Sequence, residues 1–169
     1  MDLLDVALIF SILSCSLVGG FIFTYAIVVM PGLSSLSDKD FLRAFQVTDA
    51  IIQDNQPLFM FTWVGSMVAM FMMIVVSSVG VELAEAWPIV LISVAYLVGV
   101  QGITAAFHIP LNNHIQNLII EDLNDETLAD ETLADERLKF EAKWNFFNYI
   151  RTGIALSVSF LLLIILSLR

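Results

Sequence analysis

Four long apolar stretches, at about residues 6–30, 58–79, 87–109 and 147–168, alternate with polar segments along the chain. Each is near or above the ~20 residues that an α-helix needs to cross a bilayer. Only Asp2 and Asp5 precede the first stretch. That stretch is also longer than the roughly 7–15-residue core of a cleaved signal peptide, so it reads as a retained transmembrane helix. Pro31 and Gly32 mark a turn at its end. Beyond them the period changes. Ser37-Asp-Lys-Asp40 has the form of a capping box, and Phe41, Phe45, Thr48 and Ile52 then share one helical face. Lys39, Asp40, Arg43 and Asp49 are expected to stay largely in water. This predicts an amphipathic helix lying on the membrane surface or capping the bundle.

Asp54-Asn-Gln-Pro57 punctuates before the second span, and the short 80–86 connection makes spans two and three antiparallel neighbours. Trp87 suits a membrane-interface belt, and Pro88 suits the first turn of the third helix. Pro110 should stop or bend that helix, with residues 114–120 forming a short amphipathic piece. Residues 121–141 hold nine of the seventeen acidic side chains, and Asp-Glu-Thr-Leu-Ala occurs there twice in tandem, at 125–129 and 130–134. A five-residue period matches neither helix nor strand, so a mobile, solvated loop is expected. The fold class is all-α. It is an integral membrane four-helix bundle with an amphipathic surface helix between spans one and two and an acidic loop or helix between spans three and four, in one membrane domain over residues 1–169.

Composition agrees. Of 169 residues, 59% are hydrophobic, and mean hydropathy is +0.87. The expected surroundings are a lipid bilayer. A formal charge of −10 argues against nucleic acid as a partner. Cys15 is the single cysteine, which excludes an intrachain disulfide or a thiolate cluster. Ser16, Gly19 and Gly20 form a small-residue notch where another helix can pack. Five methionines in the second span read as adaptable packing rather than soft-metal ligands. Four spans put both termini on one side. Lys39, Arg43, Arg137, Lys139 and Lys143 lie on the other, against Arg169 alone. The positive-inside rule then makes segments 31–57 and 110–146 cytoplasmic and both termini external, in an inner or plasma membrane.

The charge and polarity that remain concentrate at one end of the bundle. Gln101, Thr104 and His108 share a face at the end of span three, followed by Asn112, Asn113 and His114. Trp144, Asn148, Arg151 and Thr152 share a face entering span four. Arg151 is a charge at the mouth of a span and needs a partner. Tyr25 either anchors at the interface or points into the same region. The set is either a binding site or a group of hydrogen bonds that ties off helix ends, and the residues alone leave both readings open. A metal site built on His108 and His114, joined by Glu121, is a further alternative, though the spacing is not diagnostic.

Several short motifs in order carry a resemblance. Val29-Met-Pro-Gly-Leu33, Phe41 and Gln46, Asn55-x-Pro-Leu-Phe59, Ile109-Pro-Leu-Asn-Asn113 and Trp144-Asn-x-x-Asn148-x-x-Arg151-Thr152 together resemble the anthrone oxygenase-like family of small membrane proteins. The resemblance implies oxidation of a polycyclic anthrone to an anthraquinone by O₂, without an organic cofactor. On that reading His108 is the base, since its unperturbed pKa is near 6.5. Arg151, Asn112 and Asn148 hold the developing oxyanion, and Gln101, Thr104, Asn113, Trp144, Thr152 and Tyr25 line the substrate pocket. The expected ligand is an apolar small molecule. The competing reading is a non-catalytic accessory subunit of a larger membrane complex, or a homo-oligomer.

Overall fold

The structure, a computed structural model, describes residues 2–120 and 126–169, with backbone only for 126–130. The described residues are almost all helical and contain no strand. Four helices are long and apolar enough to cross a membrane: α1 (Leu3–Leu33), α3 (Pro57–Gly80), α4 (Leu83–Gln116) and α5 (Glu126–Ser167). A fifth, α2 (Asp38–Gln53), connects α1 to α3. The four long helices form a ring in the order α1, α3, α4, α5, each packed on its neighbours. The chain is an integral membrane protein with a four-helix bundle.

α1, α2 and α3 each start where a side chain accepts from a free backbone donor. Asp2 and Asp5 cap α1 reciprocally, with Asp5 N–H donating to Asp2 Oδ1 at 2.8 Å and Asp2 N–H to Asp5 Oδ2 at 3.0 Å. Arg169 reaches both carboxylates, at 2.7 and 3.0 Å, and so fastens the two chain ends together. Ser37 caps α2 as expected, accepting from Asp40 N–H. Asn55 takes the left-handed conformation (φ 58°) in the turn to α3, where an Asn is better tolerated than most residues.

The prolines account for two corrections. Neither Pro31 nor Pro110 stops its helix. α1 runs on to Leu33 and α4 to Gln116. Just before each proline the helix widens into a π-type turn. Met30 N–H bonds to the Tyr25 carbonyl, and Ile109 N–H to the Thr104 carbonyl. A five-residue reach moves the carbonyl that would otherwise meet the pyrrolidine ring, so the helix absorbs the proline without breaking. Pro88 lies inside α4 rather than at its first turn, because the helix already begins at Leu83.

The third correction concerns the acidic tract. From residue 126 onward it is helix, the N-terminal part of the 42-residue α5; residues 121–125 lie outside the described residues. At 1.5 Å per residue α5 is ~63 Å long, about twice the hydrocarbon thickness, so its acidic half projects beyond the membrane. Leu133, Phe140 and Trp144 are buried along one face of it, whereas Leu138, one repeat after Leu133, is exposed. A five-residue step rotates a side chain well past the buried stripe, so only some of the repeat's leucines can pack.

Two apolar clusters result. One runs through the membrane bundle, around Leu8, Ile22, Met70, Met73, Tyr96 and Leu162. Gly19 packs there on Ala155, while Ser16 and Gly20 are exposed, so the notch is Gly19 alone. Met67 and Met72 face outward. The other cluster joins α2 to the ends of α4 and α5 around Met30, Phe41, Phe45, Ile115 and Phe140. Arg137 fastens this outer layer. It donates to the carbonyls of Ser34 (2.8 Å) and Leu36 (2.9 Å), pairs with Asp38 and Glu141 at 2.9 Å each, and lies 4.5 Å over the Phe41 ring. It thereby serves the free carbonyls at the end of α1 and the start of α2 together. Arg137→Met should lower stability by about 2 kcal/mol, since charge-assisted bonds are lost at a mostly buried side chain. A thermal melt in detergent tests this, and a change below about 0.5 kcal/mol would mean that the clamp is dispensable.

Candidate functional site

Between the two apolar clusters lies a cavity of about 230 Å³. The widened turns help to shape it. Tyr25 comes from the turn in α1, and Thr104 and His108 from the turn in α4. Phe59 and Trp63 enter from the first turns of α3, and Trp144 and Arg151 from α5. The amphipathic helix α2 closes the end with Phe45, Asp49 and Ile52. It is held down by amides. Gln46 Nε2 donates to the carbonyls of Ile115 (2.7 Å) and Leu118 (2.9 Å) at the end of α4, and Gln116 Nε2 returns a bond to the Gln46 carbonyl at 2.8 Å.

Arg151 is 5% exposed. Its Nε donates to Asn148 Oδ1 and its Nη1 to Thr104 Oγ1, both at 3.0 Å. The guanidinium lies 5.5 Å from the Trp144 ring and 5.9 Å from the Trp63 ring, within cation–π range. Among the described residues it forms no ion pair. Enclosing a cation costs several kcal/mol, and two neutral oxygens with two ring faces offset only part of that. The guanidinium is therefore available as a charged donor to whatever enters the cavity.

His108 is 2% exposed, and its ring meets Trp144 edge-on at 5.1 Å. Neither ring nitrogen has a hydrogen-bond partner among the described residues. Buried polar atoms are nearly always paired, so an imidazole left free beside a cavity is available to a ligand.

The predicted residues separate into two groups. Tyr25, Thr104, His108, Asn112, Trp144 and Arg151 line the cavity. Asn148 does not. It is buried, donates to the Ile22 carbonyl at 3.1 Å and accepts from Arg151, so it positions the arginine. Gln101 points elsewhere, into a buried network with Ser66 and Tyr96 (3.2 and 3.3 Å). Thr152 is buried without a partner and does not line the cavity. Asn113 is exposed. His114 is also exposed and pairs with Glu136 at 2.6 Å. Glu121 lies outside the described residues, among which no three of His, Cys, Asp and Glu group together.

Asp49, expected in water, is instead 3% exposed and lies on the cavity wall. It accepts from Asn112 Nδ2 and Gln53 Nε2 at 2.7 Å each and from Gln116 Nε2 at 3.2 Å. Asn112 is oriented in turn by Trp144 Nε1, which donates to its Oδ1 at 3.0 Å. The signal was present in the spacing. Phe41, Phe45, Asp49 and Ile52 follow at helical intervals, which sets an acid on the apolar stripe. Phe59 and Trp63 were also missed, because an aromatic in an apolar span is indistinguishable from core.

The anthrone oxygenase family model matches residues 56–161, more than half of the chain. The chain belongs to the anthrone oxygenase family. Comparison with curated proteins and with solved structures found no match. The family range contains Trp63, Thr104, His108, Asn112, Trp144 and Arg151, whereas Tyr25, Phe45 and Asp49 come from α1 and α2 ahead of it. The family's matched core thus carries the cation and the imidazole, and the preceding segment supplies the cover.

If Arg151 is kept for a ligand rather than for the fold, Arg151→Met should leave the protein equally stable or more stable, by up to about 3 kcal/mol, because an uncompensated buried charge is removed. A thermal melt of the ligand-free protein reads this. A loss above about 1 kcal/mol would make the arginine structural.

Proposed function

We propose that this protein is a membrane-embedded oxygenase that converts an anthrone-like fused aromatic ketone to the corresponding quinone. The observation that carries this reading is Arg151, a buried guanidinium with no ion pair among the described residues, which lines the cavity beside the imidazole of His108, itself without a hydrogen-bond partner among them. Family membership supports the same chemistry. Size supports it too. An apolar cavity of about 150 Å³ admits one benzene ring, so about 230 Å³ suits a fused ring system partly enclosed by Phe45, Phe59, Trp63 and Trp144.

In this mechanism His108 removes a proton from the methylene that lies between the two outer rings of the substrate. The resulting enolate places its charge on the ketone oxygen, which Arg151 holds. Asn148 and Thr104 keep the guanidinium oriented, so little reorganisation is needed as charge develops. The electron-rich methine carbon then gives up electrons to O₂ and forms a C–O bond, and the peroxide takes up a proton. Loss of the remaining C–H proton breaks the O–O bond and expels hydroxide, which leaves as water. The balance is CH₂ + O₂ → C=O + H₂O. The carbon is oxidised by four electrons, and O₂ is the sole oxidant. We place the α2 side in the cytoplasm, where Lys39, Arg43, Arg137, Lys139 and Lys143 gather.

Oxygen uptake by purified protein given anthrone tests this reading. One O₂ should be consumed per anthrone, at a rate well above spontaneous oxidation. Arg151→Gln should lower kcat about 10²-fold and His108→Gln by a similar factor. Prior treatment with a chelator should leave the rate unchanged. If the protein does not exceed the spontaneous rate, or if both variants match wild type, the oxygenase reading fails. Loss on chelation that a divalent metal restores would favour the histidine–metal alternative.

A further inference from the structure

We infer that Asp49 is a specificity residue that selects ring systems bearing a free hydroxyl on the side away from the arginine. This rests on the proposed aromatic ligand and extends it. Asp49 is a buried carboxylate on the wall of an otherwise aromatic cavity. All of its partners are amide N–H groups, from Gln53, Asn112 and Gln116, and it forms no ion pair among the described residues. A carboxylate offers about four acceptor positions, and three are used. Oδ1 takes one bond and Oδ2 two, so one acceptor position on Oδ1 has no partner among the described residues, on a side chain that lines the cavity.

Trp144 sets the separation. Its ring face lies against Arg151, while its Nε1–H bonds to Asn112, which bonds to Asp49. The cation and the carboxylate therefore sit on different sides of one indole, with the amide of Asn112 between the indole and the carboxylate. A flat ligand in this cavity meets the cation over the indole face and the acceptor beyond the indole edge. The arginine suits a ketone oxygen or its enolate. The aspartate suits an O–H and rejects an oxygen that has no hydrogen.

The test is equilibrium binding under nitrogen, where no turnover occurs. Anthrone, each positional monohydroxyanthrone and its methyl ether are titrated into the full-length protein in detergent. Quenching of tryptophan fluorescence is read, since Trp63 and Trp144 line the cavity. At least one hydroxyanthrone should bind about tenfold tighter than its methyl ether, the range of one hydrogen bond to a charged group. Asp49→Asn should remove that difference, by weakening the hydroxyanthrone more than its ether. Equal binding of every hydroxyl and ether pair by wild type would overturn the inference, whatever the behaviour of the variant. Equal weakening of both by Asp49→Asn would make the residue a structural anchor and overturn it as well. If anthrone and all its derivatives fail to bind, the functional reading falls and takes this inference with it.

Discussion

The guanidinium of Arg151 is enclosed by two indoles, a threonine hydroxyl and an asparagine oxygen, with no carboxylate against it. Burying such a cation is costly. The surrounding residues limit that cost rather than cancel it. Asn148 is itself tied to the Ile22 carbonyl of α1, and Thr104 donates to the Val100 carbonyl of α4. The charge thus sits where α1, α4 and α5 meet, and its holders are anchored to the backbone of the other two helices. A fixed cation in a small cavity of low dielectric is a strong and directional donor, which an oxyanion-stabilising site requires.

The rest of this end of the bundle keeps water away from that charge. α2 lies across the opening, held by the buried cluster around Phe41, Phe45 and Phe140 and by side-chain amides. Gln46 and Gln116 bond each other's helices and use the free carbonyls at the end of α4. Arg137 does the same for the end of α1. Each fastening satisfies backbone groups that a helix end would otherwise leave exposed near hydrocarbon. The prolines contribute as well. Their widened turns put Tyr25, Thr104 and His108 on the cavity wall, so the turns that accommodate the prolines also shape the site.

Much of the candidate site was legible beforehand. Thr104, His108, Asn112, Trp144 and Arg151 were grouped from helical spacing and from the need of a charge near a span for a partner, and they do line one cavity. Gln101, Asn113, Asn148 and Thr152 shared that reasoning and lie outside it. A helical face is wide, and spacing does not say which part of it meets a cavity, a neighbouring helix or water. Asp49 failed for a related reason. An acid among Phe41, Phe45 and Ile52 looks solvated unless one knows that three amides and a cavity lie above it.

Residues near one another in the chain determined the four apolar spans, the Ser37 cap, the amphipathic character of α2 and the common end at which the polar groups gather. Those features follow from period, length and composition, which are local or additive. Tertiary structure alone decided that the prolines would be absorbed, that the acidic tract would extend a helix, and that Asp49 would be buried. The last two depend on partners far away in sequence: the packing of Leu133 and Phe140 against α2, and the amides of Asn112 and Gln116 against Asp49. A polar side chain goes into water or into protein according to what lies opposite it, and that surface is assembled only when distant segments pack.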